Sequence, residues 1–208
     1  MPLEYKMIAP QRLCVKFYFE ELSVDVDTFI PVFHRWIRED VVSNEMLLDV
    51  ADYKHILDGP AILLIGHEAD YVIDFTDGRP GLLYVRKRDA GSSLSDALGT
   101  TLTQALNGVR LAENDVELAG KLKLRTDGAT IVLLDRLNYP NTASNGDGVD
   151  SAASAAQAQL EENLAALFGG DATVTRVSND ARAPMTFELN APSAPNVDTL
   201  LSQLASVK

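Results

Sequence analysis

The chain has 208 residues, 46% apolar and 23% charged, the mixture of one large folded domain or two small ones. A disordered, collagen-like or disulfide-framed chain would read differently. Thirty acids against eighteen bases give a net charge of −12, which repels phosphate backbones and anionic bilayers, so neither nucleic-acid nor membrane-surface binding is expected.

The start, Met1-Pro2-Leu3-Glu4, carries an acid and leads into a charged stretch, unlike a signal peptide. Apolar runs such as Ala61 to Ile65 fall far short of the ~20 residues of a membrane helix. Cys14 is the only cysteine, which excludes an intrachain disulfide and a cysteine-based zinc cluster. Between Leu13 and Val15 it reads as a small core residue. A cytoplasmic protein is the expectation.

Arg12 to Phe19, dense in Val, Phe and Tyr, predicts a strand. Asp27 offers an N-cap for a helix through about Glu39, with Phe29, Phe33, Trp36 and Ile37 as its buried stripe and Pro31 in its first turn. Met46 to Val50, Ala61 to Ile65, Tyr71 to Phe75 and Leu82 to Arg86 follow as strands, punctuated by Asp58-Gly59-Pro60 and by Asp77 to Gly81. Leu94, Leu98, Leu102, Leu106 and Val109 mark a long helix that Ser93 or Ser95 would cap.

In the second half, Lys121 to Arg125 alternates charged and apolar side chains. Asp127-Gly128 then signals a hairpin turn into a strand over Thr130 to Leu134. Asn141 to Asp150 reads as a Gly-rich loop. A helix from Asp150 carries Ala153, Ala156, Leu160, Leu164 and Leu167 on one face, ended by Gly169-Gly170. Thr173 to Val177 and Met185 to Leu189 are paired strands, and Val197 to Leu204 is a closing helix.

This order predicts an α+β fold: mostly antiparallel sheet with about four helices packed on it. It can be divided into two similar β/α halves, 1–112 and 118–208, or read as one continuous domain. Residue identities between the halves are too few to establish a duplication.

Several common chemistries lack their motifs. There is no Walker-type phosphate loop, no dinucleotide glycine fingerprint following a strand and no nucleophile elbow. His67-Glu68 opens like a zinc-protease helix, but Tyr71 stands where the second histidine belongs. Gly146-Asp147-Gly148 fails as a calcium loop for want of the closing glutamate. Neither a cofactor nor a catalytic residue can be named from these motifs.

Two constellations remain. His55, His67, Glu68, Asp70 and Asp52 supply imidazoles and carboxylates suited to a divalent metal or to acid–base work. Pairing the runs about Leu57 to Pro60 as a hairpin sets His55 opposite Ile62 and His67 opposite Val50. The histidines are then roughly 15–20 Å apart, too far to share an ion. His67 with Asp52 survives as a diagonal pair, either a metal site or a histidine tied down by a carboxylate. The second constellation is Arg86, Lys87 and Arg88 running into Ser92, Ser93 and a helix start. There the free N–H groups and the helix dipole favour a phosphate or carboxylate. Elsewhere, His34 and Trp36 read as core or core-edge residues, and Asp135-Arg136 as a turn anchor or ion pair.

The function expected from these features is that of a non-catalytic assembly or accessory protein, a homo-oligomer or a partner of another protein, since hairpin edges call for partners. The alternatives are a binding protein or transferase for a small anion at residues 86–93, and a metal-assisted hydrolase around His67 and Asp52.

Overall fold

In the computed structural model, which describes residues 7–88, 91–141, 151–177 and 180–206, the Val/Phe/Tyr-rich run forms β1 (Leu13–Leu22), as its β-branched and aromatic side chains favour. The cap beyond β1 is Asp25 rather than Asp27. Its carboxylate accepts from the Asp27 N–H at 3.0 Å and starts a short 3-10 turn over Val26–Thr28. Then comes α1 (Phe29–Glu39), whose stripe buries Phe29, Val32, Phe33 and Trp36. Left-handed Asp40, with φ 49°, ends it.

The next four strands are β2 (Leu47–Asp52), β3 (Pro60–Gly66), β4 (Ala69–Asp74) and β5 (Gly81–Arg86). Ser93 caps α2 (Leu94–Asn114), its hydroxyl accepting from the Asp96 N–H at 3.2 Å. After α2 come β6 (Leu122–Leu133), α3 (Ser151–Phe168), β7 (Thr173–Arg176), β8 (Met185–Asn190) and α4 (Val197–Ser206). Asp150, the expected helix start, and most of the 141–150 loop lie outside the described residues.

The strands form one antiparallel sheet of eight, in the order β2-β3-β4-β5-β1-β6-β8-β7. The α+β expectation therefore holds, with one correction. The hairpin predicted at Asp127-Gly128 is absent, and residues 122–133 form a single long strand. Gly128 pairs with Asn190 on one side while Ala129 pairs with Phe17 on the other. Register shifts in the β1–β6 ladder, between Phe17 and Glu21, absorb the extra length, as β-bulges do.

The two halves share this sheet. β1 and β6 lie side by side and antiparallel at its middle, each flanked outward by the last strand of its own half, β5 or β8. The order strand, helix, strands, helix thus occurs twice, with the halves facing each other across the β1–β6 pair. One hydrophobic cluster runs through both, from Phe29 through Leu106 to Leu200.

All four described helices pack on the same face of the sheet. Trp36 of α1 meets the Tyr71 ring edge-on at 6.5 Å, and Gly108 of α2 rests against that same ring. The helices α3 and α4 join the cluster through Leu160, Leu164 and Leu200 beside Val174 and Phe187. Period-2 alternation sends Leu13, Val15 and Phe17 into this layer at 0% exposure and turns Cys14, Lys16 and Tyr18 to the opposite face.

Candidate functional site

The basic run 86–88 and the histidine–acid run 67–70 read as separate constellations in the sequence. The sheet zips them together, because the β4–β5 ladder sets Ala69 opposite Arg86 and Asp70 opposite Val85. Lys87 Nζ donates to Asp70 at 2.7 Å and to the Gly66 carbonyl at 2.7 Å. Arg88 lies 3.3 Å from His67 Nε2. The Lys87 and Arg88 N–H groups both donate to the Glu68 carbonyl, while the Glu68 carboxylate accepts from the Met46 N–H at 2.9 Å.

Arg86 is drawn away from the surface altogether. It lies on the helix side, 7% exposed, and donates to Glu45 at 2.9 Å. Glu45 is itself 4% exposed and also accepts from the hydroxyls of Tyr71 and Tyr84. Burial pushes both tyrosine pKa values up, with the neighbouring Glu45 charge adding to the shift. Glu45 had no signal in the sequence: it sits in the short polar stretch Ser43-Asn44-Glu45, and nothing in its spacing points inward.

At the helix start an internal carboxylate takes the place expected for an anion. Ser92 Oγ donates to Asp96 at 2.6 Å, and Ser93 Oγ caps the Asp96 N–H. The Ser92 and Ser93 hydrogen bonds hold the Asp96 carboxyl below its ordinary value. A depressed folded value adds stability above the unfolded pKa, and that contribution is lost as pH falls through the folded one. The protection factors of the first-turn amides of α2, taken against the intrinsic exchange rate at each pH, should therefore fall on acidification below about pH 4. Asp96→Asn should abolish that pH dependence, and an unchanged profile would count against the capping role.

His67 and Asp52 do not meet. The β2–β3 ladder pairs Asp52 with Ile62 and Val50 with Leu64, and the His67 N–H donates to the Met46 carbonyl. His67 is thus opposite Met46 rather than Val50, and five ladder positions, roughly 16 Å, separate it from Asp52. The register differs from the expected one because the connection is wider than a tight turn, with Tyr53 N–H bonded to the Ala61 carbonyl. His55 stacks on Tyr53 at 5.8 Å. Asp52 accepts from the Lys54 N–H at 3.0 Å. Among the described residues, no group of three or more His, Cys, Asp or Glu side chains is arranged to hold a metal.

Other polar groups are similarly engaged. Arg35 of α1 clamps Asp115 at 2.6 Å and Glu117 at 2.7 Å, and the Trp36 indole donates to the same Asp115. Asp135 anchors a turn by accepting from the Gln11 and Asn138 N–H groups. A 690 Å³ cleft between β6 and the start of α4 is lined by charges already paired with one another, Lys123 with Glu20 of β1 at 2.6 Å and Arg125 with Asp127 along β6 at 2.8 Å.

No protein-family model and no curated protein matches this chain. The geometry alone carries the functional reading.

What the geometry leaves over is the sheet face opposite the helices. Hydrogen-bond register lays two rows of side chains across it. One runs Ile65, Asp70, Val85, Cys14, Val132. The other runs Leu63, Val72, Leu83, Lys16, Thr130, Glu188. Leu63, Ile65, Leu83, Val85 and Val132 are all partly exposed. Lys16 pairs with Asp74 at 2.6 Å, Asp70 with Lys87 at 2.7 Å and Glu188 with Arg79 at 2.7 Å, and the first row continues onto β2 at exposed Asp49, opposite Ile65. The Arg79 guanidinium also stacks over the Tyr18 ring at 4.6 Å, and the Tyr18 hydroxyl bonds to Thr130 and Glu188.

Cys14 belongs to this face yet is only 4% exposed. Burial pushes its thiol up to about 12, which leaves almost no thiolate at neutral pH. The native protein should resist a thiol reagent that labels it fully in denaturant; rapid native labelling would show that the face opens.

Proposed function

We propose that this chain is a non-catalytic assembly or accessory protein that acts by self-association in an aqueous compartment, the cytoplasm. The observation that carries this reading is a division of labour in the molecule. Groups suited to chemistry are engaged with one another, while one whole face of an eight-stranded sheet has no covering element among the described residues. A sheet face with no helix on it and with Leu63, Ile65, Leu83, Val85 and Val132 partly exposed, together with two edges, calls for a partner. The anion and metal readings are supported less, because Asp96 takes the helix start and the ladder parts His67 from Asp52. No described helix is long and apolar enough to cross a membrane.

Native mass spectrometry of untagged protein, with light scattering at two concentrations, tests the proposal. A defined oligomer of the bare chain is the expected result. A strict monomer overturns it, and a monomer retaining an anion or a metal would favour residues 86–93 or His67 instead.

A further inference from the structure

We infer that two copies of this chain pack open face to open face, as a sandwich of two eight-stranded sheets. The inference rests on the self-association reading and names its surface and its partner.

Charge selects the partner. Two chains of −12 each repel over most of their surfaces, and like-charge repulsion of that kind keeps copies apart. The open face is the exception, because Lys16, Asp70 and Glu188 across its middle are matched on the same chain, which leaves the Asp49 carboxylate at its β2 rim. A basic partner would be drawn to the acidic remainder of the surface. A second copy can approach only where the field is cancelled.

The edges are guarded in a way the face is not. β2 presents exposed Asp49 and Asp52 within six residues. Pairing it with its own copy would gather four carboxylates along one ladder, which like-charge repulsion opposes. β7 has only four residues, too short to template a strong pairing. Charged and very short edge strands are the usual defences against edge-to-edge association.

Size agrees with a dimer. At ~4.8 Å per strand and ~3.3 Å per residue, eight strands about six residues long present a footprint of roughly 700 Å² before corrugation. A standard interface needs about 800 Å² from each partner. Facing sheets pack about 10 Å apart, so Leu63, Leu83, Val85 and Val132 would interdigitate with their counterparts. The isologous arrangement closes on itself as a dimer.

The test is the dissociation constant by analytical ultracentrifugation for the wild type, for Leu83→Lys and Val132→Lys on the face, and for Leu48→Lys on the β2 edge. Leu83 and Val132 are reached by water in the isolated subunit, so the lysines burden the dimer more than the fold; circular dichroism and Tm check this. Each face variant should weaken the dimer at least about tenfold, since it buries unpaired ammonium groups, while Leu48→Lys leaves it unchanged. Raising salt should tighten the wild-type dimer by screening the repulsion between the acidic surfaces.

Should one face variant fail to fold, the other decides. Dissociation by Leu48→Lys with both face variants still dimeric would overturn the face and keep self-association. A wild type that stays monomeric at every concentration and salt would overturn both.

Discussion

Glu45→Ala is expected to cost about 3–5 kcal/mol of folding stability, the range for breaking a buried charged pair by removing one partner. Three groups lose the same acceptor at once: the Arg86 guanidinium and the Tyr71 and Tyr84 hydroxyls. Water cannot replace the carboxylate cheaply, because Tyr71 and Tyr84 are both 0% exposed. The loss would also release the connection between α1 and β2, which carries two left-handed residues, Asp40 and Asn44. Chemical denaturation should show the midpoint falling at nearly constant m-value. Glu45→Gln, which keeps one acceptor, should lose less, and Glu45→Leu with Arg86→Met should recover much of the loss. A change below about 1 kcal/mol for Glu45→Ala would mean that the carboxylate is not the hub of this network.

Gly108→Ala should destabilise the protein by about 1–3 kcal/mol, the usual cost of overpacking a filled core. An alanine in a helix interior ordinarily gains up to ~1 kcal/mol over glycine, so here packing outweighs propensity. The added Cβ would lie 2.6 Å from Tyr71 Cε1 and 2.9 Å from Cδ1. That ring cannot swing aside, because Glu45 holds its hydroxyl and Trp36 and Tyr84 flank it at 6.5 and 5.0 Å. Gly99 is the control on the same helix. A Cβ there meets nothing within 4 Å, and Gly99→Ala should stabilise by roughly 0.5–1 kcal/mol. Thermal or urea unfolding of the two variants should move in opposite directions; the same sign for both would refute the close approach of α2 to the sheet.

Helical stripes and the Ser93 cap are legible in the sequence because they are local, whereas Asp27 misses the actual cap, Asp25, by two residues. The spacing of Phe29, Phe33 and Trp36, or of Leu94 through Leu106, reports directly on which side of a helix is buried. Long-range register is not legible. Alternation tells which residues of β2 and β3 share a face but does not fix the offset between them, so a tight-hairpin pairing sets His67 opposite Val50 instead of Met46. At Asp127-Gly128 a strong local turn signal is overridden by two flanking strands that hold the segment extended.

The candidate site misleads in a related way. Runs 67–70 and 86–88 each look like free chemistry in one dimension, and only the β4–β5 register shows that they satisfy one another. Conversely, the bare sheet face has no sequence signature. Strands such as β3 and β5 are apolar on both sides, so nothing in their pattern distinguishes the side the helices cover.

The central position of β1 carries a cost during synthesis. β1 leaves the ribosome well before one of its two neighbours, since β6 begins a hundred residues after β1 ends. At roughly 5–20 residues per second, translation leaves that side of β1 unpaired for about 5–20 s. For that interval the nascent chain displays an apolar, β-rich template of ten residues, in the centre of the future sheet and without the defences of its finished edges. The molecule is at its most adhesive before it is complete, and its yield in a cell should depend on how fast β6 follows.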